Sequence, residues 1–181
     1  MDMLKAILHR RSVRNYLDAA IPEDKLNTIL YAGLAAASSK NRRPWEFVVV
    51  RDKALLKKLG ACRAGAANLL NDCAAAIVVT ANSDLVDVWV EDCASAMTQM
   101  HLMADALGIG SCWLQIRLRR TADDSQSAQD VVRSLLDIPA SHSVMAILTL
   151  GIPASHPEPR TVETLPFDKI HYERFSKERE A

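Results

Sequence analysis

The chain has 181 residues, a length that suits one domain. Its 22 Lys and Arg residues equal its 22 Asp and Glu residues in number, and this balance argues against a general nucleic-acid binder. Hydrophobic residues make up 49% of the chain, as in a packed globule, and six glycines are few for a protein that binds phosphate through glycine-rich loops.

The cysteines argue against two further classes of site. They contain no CxxC pair, so a paired-cysteine zinc site and a thioredoxin-type redox motif have no support.

No signal-like segment opens the chain, and no apolar run approaches the roughly 18 residues of a membrane span. We therefore expect a cytoplasmic protein that binds no membrane and buries its four thiols. These are Cys62, Cys73, Cys93 and Cys112.

Hydrophobic periodicity and helix boundary signals predict helices interleaved with about four strands. The predicted helices cover 3–10, 22–37, 52–60, 64–71, 87–107 and 128–137, and the predicted strands cover 47–51, 74–81, 111–116 and 144–150. This order indicates an α/β or α+β domain. Four prolines after Gly151 predict an extended tail, which is either a disordered appendage or an arm that wraps another surface. Apolar residues favour the arm, namely Leu165, Phe167, Ile170, Tyr172 and Phe175.

The longest predicted helix, 87–107, carries one apolar face. That face contains Trp89, Val90, Cys93, Met97, Met100, His101, Ala104 and Leu107. The five histidines show no metal-ligand spacing, so the sequence predicts no metal site. Because His101 lies on the apolar face of this helix, we interpret it as a core or interface residue that makes one hydrogen bond.

Nine of the 22 basic residues lie in three segments that contain no carboxylate. They are Arg10, Arg11 and Arg14, then Lys40, Arg42 and Arg43, then Arg117, Arg119 and Arg120. Arginine favours bidentate contacts with phosphate or carboxylate, so convergence of these segments would create an anion site. Without convergence they are three solvated loops.

Five motifs occur in an order typical of one family. They are RRSVRNY at 10–16, SSKNRRPWEF at 38–47, LGIGSCWLQIR at 107–117, LGIP at 150–153 and HYERF at 171–175. Together they resemble the flavin-dependent nitroreductase family. The resemblance implies a three-layer α+β fold with a central mixed, mostly antiparallel sheet flanked by helices. It also implies that residues 1–181 form one FMN-binding domain within an intertwined homodimer, and that residues 152–181 reach across the partner.

The resemblance also implies roles for individual residues toward FMN. Arg10, Ser12 and Arg160 match contacts to the phosphate and ribityl chain, and Arg11 belongs to the same loop. Arg14 matches a cation near the flavin N1/C2 edge, where it would stabilise the negative charge that reduction places there. The loop that touches the ring, expected from the other subunit, contains Ser38, Ser39 and Asn41, with Lys40 as a further candidate. The wall behind the ring consists of Gly110, Ser111, Cys112, Trp113, Leu114 and Gln115.

The activity implied is FMN-dependent NAD(P)H oxidation by a ping-pong mechanism. Hydride would pass through flavin N5 to a nitroaromatic, quinone or similar small acceptor, with no acid or base required from the protein. The short connection over 82–87 implies that the flavin face is more open than in larger relatives, or that another loop covers it. Two alternatives stay open, namely a flavin enzyme of the same fold with other chemistry (dehalogenation, flavin fragmentation or azoline oxidation) and a non-enzymatic module that binds an anionic ligand. The choice between NADH and NADPH is open as well.

Overall fold

The computed structural model describes residues 2–175 and has the predicted α+β architecture. The helices are α1 (Met3–His9), α2 (Glu23–Leu34), α3 (Lys53–Leu59), α4 (Ala67–Leu70), α5 (Trp89–Ala106) and α6 (Ala128–Leu135). The strands are β1 (Tyr16–Leu17), β2 (Trp45–Val50), β3 (Ala75–Asn82), β4 (Gly110–Gln115) and β5 (His142–Pro153). Side-chain caps begin several helices, since Asp2, Asp52 and Ser127 each accept a backbone N–H of the first turn.

The five strands form one sheet. Four of them follow the order β1-β5-β3-β2, and β4 also pairs with β5. Every pairing among the described strands is antiparallel. The long strand β5 is the centre of the sheet because it pairs with β1, β3 and β4. Residues of β3 are buried on both faces, as its continuous apolar sequence predicts.

Helices cover both faces of this sheet and give the predicted three layers. One hydrophobic cluster joins α2 and α5 to side chains such as Ile77 and Leu148, and the other joins α3, α4 and α6 to side chains such as Val78 and Ile147. Consecutive strand residues point to opposite faces, so Ile77 and Val78 belong to different clusters. All four cysteines are buried, as predicted, and burial raises the pKa of Cys62 and Cys73 to about 11.

Several predicted boundaries were wrong. Helix α2 ends at Leu34 instead of about residue 37, although Ala36 beyond its end is buried. Hydrophobic periodicity reports burial, and a buried residue need not continue the helix. The short strand β1 was missed. Its register places Tyr16 opposite Pro153, and the adjacent Gly151 leaves room for the Tyr16 ring. A Cβ at Gly151 would lie 2.6 Å from Tyr16 Cδ1.

The tail after β5 is extended but includes two short 3₁₀ turns at Val162–Thr164 and Phe167–Lys169. Several of its apolar side chains are exposed within the single chain, among them Tyr172 at 78% and Phe175 at 83%. The last part of the predicted arm, 176–181, lies outside the described residues. Among the residues described, no helix is both long and apolar enough to span a membrane.

Candidate functional site

The loop over 10–14 connects α1 to β1 and lies along the free edge of β4. Val13 is buried, and its backbone N–H donates to the Ser111 carbonyl at 2.9 Å. Gly110 permits this approach because a Cβ there would lie 2.8 Å from Val13 Cγ1. The Tyr16 hydroxyl donates to the Val13 carbonyl at 2.8 Å and closes the far end of the loop. The buried valine therefore fixes the path of the flanking arginines.

Arg10 is held by a buried histidine. Its Nη1 donates to His101 Nε2 at 2.8 Å, and His101 Nδ1 lies 2.5 Å from Ser111 Oγ. Burial, followed by the charge of Arg10, lowers the pKa of His101 to about 4, so the ring is neutral at pH 7. Because Arg10 can only donate, Nε2 carries the lone pair and Nδ1 carries the proton that is donated to Ser111. His101 is a core residue as predicted, but it makes two hydrogen bonds and not one.

Arg11 and Arg160 lie beside Arg10. The Arg160 backbone N–H donates to the Leu8 carbonyl at 2.9 Å, and the Arg11 guanidinium donates to the Glu158 carbonyl. Burial lowers the pKa of Arg10, and the charges of Arg160 and Arg11 lower it further. The structure therefore gathers three predicted phosphate ligands into one positive cluster.

These cations form no ion pair with a carboxylate among the described residues, although the charge of Asp105 acts on Arg10 through space. Within residues 2–175, neither the three clustered arginines nor Arg14 has a carboxylate oxygen within 4.0 Å. Arg14 is exposed and reaches only the Ser12 carbonyl, at 3.4 Å. Burial raises the pKa of the neighbouring Cys112 thiol, while the charge of Arg14 and a hydrogen bond with Ser12 act in the opposite direction. Arg14 and Ser12 therefore lie close to the Cys112 thiol.

Strand β4 provides a wall whose two faces differ. Gly110, Ser111, Cys112 and Leu114 are buried, whereas Trp113 and Gln115 are partly accessible. Trp113 Nε1 donates to Gln115 Oε1 at 2.9 Å, and Gln115 Nε2 donates to the Arg117 carbonyl at 3.1 Å. These hydrogen bonds fix both side chains on one face of the strand.

The loop over 38–41 lies elsewhere in the chain. Its Ser39 backbone N–H donates to Asp92 Oδ1 at 2.8 Å, in the first turn of α5. Ser38 Oγ accepts the Arg43 backbone N–H at 2.9 Å, and Lys40 and Asn41 both have positive φ angles, of 51° and 54°. Non-glycine residues rarely adopt this conformation, so the loop holds a defined and costly shape.

The two loops occupy different ends of α5. One is fixed at Asp92 and the other at His101, and nine residues of helix separate these anchors by about 14 Å. The first predicted group, which contains Arg10, Arg11, Ser12, Arg14, Arg160 and the Gly110–Gln115 wall, comes together. The second, which contains Ser38, Ser39, Lys40 and Asn41, is anchored about 14 Å away along α5.

Sequence reasoning missed Asp92, which is 5% exposed and whose Oδ2 has no hydrogen-bond partner among the described residues. It also missed a cluster of His9, Asp105 and His156, which adjoins the arginines. One signal could have found Asp92, since it is an acid on the otherwise apolar face of a long helix.

The comparisons with known proteins agree with this geometry. The sequence profile described as the Nitroreductase family matches residues 7–66 and 61–152. An Archaeoglobus fulgidus protein, provisionally named a NADH dehydrogenase/NAD(P)H nitroreductase, is 38% identical over 156 residues, which cover 84% of this chain and 86% of that protein.

Solved structures are similar as well. An FMN-dependent nitroreductase from Clostridium difficile R20291 is 38% identical, with a TM-score of 0.91 over 96% of this chain and 100% of that chain. A Desulfovibrio desulfuricans structure, provisionally named a nitroreductase and solved in complex with FMN, is 26% identical with a TM-score of 0.72, over 90% of this chain and 94% of that chain. Sequence, fold and the order of motifs thus agree, and the chain belongs to the nitroreductase family.

Proposed function

We propose that this chain is an FMN-dependent NAD(P)H oxidoreductase that reduces a small organic acceptor. The observation that carries the proposal is the positive cluster of Arg10, Arg11 and Arg160, which has no carboxylate partner among the described residues and lies at the edge of β4. Arg10 and Arg11 are partly buried beside the exposed Arg160, so a bound anion would stabilise the three like charges. The similarity to an FMN-dependent nitroreductase over 96% of the chain supports FMN as the source of that anion.

The residues present fit the parts of FMN. Guanidinium groups of the arginine cluster and the Ser12 hydroxyl are donors suited to a phosphate and a ribityl chain. Arg14 is exposed and makes only one long contact, so it is available to a flavin ring edge. When bound, FMN supplies the hydride chemistry at its N5 atom, between NAD(P)H and an acceptor such as a nitroaromatic or a quinone.

The protein groups at this site would bind and orient the cofactor. Arg10 keeps its direction because neutral His101 accepts one of its N–H groups, so the guanidinium cannot rotate freely. Arg14 would place a positive charge near the flavin edge that becomes more negative on reduction, and this charge would favour the reduced cofactor. The wall of β4 excludes water from one side, since Cys112 and Leu114 are buried.

We further propose that two chains complete each site. The loop over 38–41 is fixed about 14 Å along α5 from the anchor of the arginine loop, so a second chain is the simpler source of its contacts. Apolar side chains that a dimer would cover are exposed in the single chain, including Met3, Leu4 and Ile7 of α1 at 69%, 51% and 46%. The exposed aromatic residues of the tail support an arm that reaches the partner.

An absorbance spectrum of the purified chain tests the cofactor. We expect a flavin spectrum that bleaches when NADH or NADPH is added without oxygen, and the faster donor identifies the preferred nicotinamide. A colourless protein that takes up no FMN would contradict the proposal and favour a non-enzymatic anion-binding module. A yellow protein that neither donor reduces would instead indicate other flavin chemistry on the same fold.

Arg14→Ala tests the role of the exposed arginine. We expect weaker FMN retention or slower reduction by NAD(P)H, because the charge at the ring edge is lost. Lys58→Ala is the matched control, since it removes an exposed cation from α3, outside the predicted FMN contacts. Unchanged FMN retention and NAD(P)H oxidation in Arg14→Ala would remove the assigned role.

A mixed dimer tests the shared site. Light scattering should give about twice the 20.0 kDa chain mass. Two differently tagged chains, one Arg14→Ala and one Asn41→Ala, are then co-expressed and purified as the heterodimer. If the loops come from different subunits, one site is intact and the other has both substitutions, so NAD(P)H oxidation recovers toward half of wild type. If both loops came from one chain, every site would be impaired and no activity would recover.

A further inference from the structure

Two histidines and one aspartate converge beside the arginine cluster. His9 Nδ1 lies 2.6 Å from Asp105 Oδ2, and His156 Nε2 lies 2.9 Å from Asp105 Oδ1. The imidazole rings stack with centroids 4.4 Å apart, and the three potential ligand atoms lie within 4.8 Å of one another. We call these residues the His9–Asp105–His156 cluster.

Three separate parts of the chain build this cluster. His9 is the last residue of α1, Asp105 lies in the last turn of α5, and His156 follows β5 at the start of the tail. Contacts of α1 with α5 bring the first two together, and the hydrogen bond from the Arg160 backbone to the Leu8 carbonyl holds the tail against α1. The convergence is therefore a product of the fold and not of local sequence.

The hydrogen bonds of His156 direct its Nε2 atom at the carboxylate of Asp105. Its Nδ1 lies 2.7 Å from the Pro157 carbonyl oxygen, which can only accept, so Nδ1 carries a proton. A neutral imidazole has one N–H, so Nε2 of neutral His156 directs a lone pair at Asp105 Oδ1. Two lone pairs at 2.9 Å repel each other unless a positive ion or an added proton lies between them.

The same arrangement is the usual second shell of a metal-binding histidine. Such residues donate the remaining ring N–H to a carbonyl or carboxylate, which fixes the tautomer and directs the other nitrogen at the metal. Two imidazole nitrogens and a carboxylate are a donor set suited to zinc and neighbouring transition metals, whereas Mg²⁺ and Ca²⁺ favour oxygen ligands.

The distances and exposures allow an ion to enter. Metal–ligand bonds of about 2.1 Å at tetrahedral angles place ligand atoms about 3.4 Å apart, so the pairs that are now hydrogen-bonded need to separate by less than about 1 Å. His9 has a side chain 48% exposed and can move, whereas the Asp105 side chain is 7% exposed and fixed. Arg10 acts on Asp105 through space, but its guanidinium donates to His101 and occupies neither carboxylate oxygen of Asp105.

We propose that His9, Asp105 and His156 bind one Zn²⁺ or a similar first-row divalent ion, with water at the fourth position. The metal joins α1, α5 and the tail at one point. Since His9 adjoins Arg10 and His156 lies four residues before Arg160, the ion would hold two basic segments in register. Metal binding is measured without reference to flavin, so it stands or falls separately from the proposed oxidoreductase activity.

Zinc binding to the full-length protein tests this proposal. Protein treated with chelator and then freed of it is titrated with ZnCl₂ by calorimetry, and retained metal is counted after gel filtration. We expect one Zn²⁺ per chain in the wild type. Affinity should fall at least about tenfold in His9→Ala, Asp105→Asn and His156→Ala, because losing even a second-shell partner commonly costs that much.

His142→Ala is the matched control. His142 Nε2 also faces a carboxylate, at 3.1 Å from Glu46 Oε1, but it lies outside the cluster. Zinc binding should be unchanged in this variant, and circular dichroism confirms that each variant folds. The proposal is overturned if the wild type binds no zinc below about 100 μM. It is equally overturned if His9→Ala and His156→Ala bind as the wild type does, or if His142→Ala loses binding to the same extent.

Discussion

Acidification should weaken the folded protein through His101. This residue is 7% exposed, donates to Ser111 and accepts from Arg10, so its neutral form is the one that the fold accommodates. Protonation would bring a second positive charge against the Arg10 guanidinium and remove the acceptor that holds it. The perturbation is therefore a fall in pH from 7 to 4, with His101→Gln as the variant that cannot titrate.

The magnitude follows from the shift in pKa, which is lowered from 6.5 to about 4. Above pH 6.5 the histidine is neutral in both the folded and the unfolded chain, so its contribution to stability is fully present. Between pH 6.5 and about 4 the unfolded chain binds a proton that the folded chain does not, at a cost of about 1.4 kcal/mol per pH unit. The free energy of unfolding should therefore fall by about 3 kcal/mol from this residue.

Urea unfolding followed by circular dichroism, at pH 7, 6, 5 and 4 and at one protein concentration, measures this change in the free energy of unfolding. Carboxylates also titrate in this range, so the informative quantity is the difference between wild type and His101→Gln. The glutamine amide can still accept from Arg10, and the variant should lose stability less steeply on acidification. A wild-type minus His101→Gln difference that is the same at pH 7 and pH 4 would refute the reasoning.

Two further substitutions test the packing that positions the site. Gly151→Ala should lower the free energy of unfolding by about 1–3 kcal/mol, because the new Cβ would lie 2.6 Å from Tyr16 Cδ1; an unchanged urea midpoint would show that the ring moves freely. Tyr16→Phe should cost about 1–2 kcal/mol in the same assay, because the hydroxyl bonds both the Val13 carbonyl and Thr149 Oγ1 at 2.8 Å. Its effect should be smaller in a Thr149→Val background, where only the hydrogen bond to the Val13 carbonyl remains, and full additivity of the two substitutions would contradict the hydrogen bond between Tyr16 and Thr149.

The local sequence predicts those helices and strands whose residues form a long, regular pattern of burial. The run over 74–81 is apolar at successive positions because both faces of β3 are covered, and the long periodic pattern over 87–107 contains all of α5. Strand β1 escaped prediction because two residues carry no periodicity. It exists only because Tyr16 packs on Gly151 and pairs with the end of β5.

The candidate site was predictable in its residue types and only partly in its geometry. Arginines without neighbouring acids in the sequence indicate an anion-binding site, since the residue type alone fixes the charge of the side chain. His101 illustrates the limit, because its apolar surroundings predict burial but do not identify Arg10 and Ser111 as its partners. Arg10 lies far away in the chain and Ser111 lies on strand β4. Hydrogen bonds between separate segments leave no periodic signal in the sequence.

By itself the sequence determined an α/β or α+β class, the buried thiols and the basic segments that contain no carboxylate, because composition and periodicity fix burial and charge. Tertiary structure decided which of these charges meet. It gathers Arg10, Arg11 and Arg160 at one end of α5, and it fixes the loop over 38–41 at Asp92 near the other end. The reason is that α5 is a rigid rod of 18 residues, so anchors nine positions apart on it cannot approach each other within one chain.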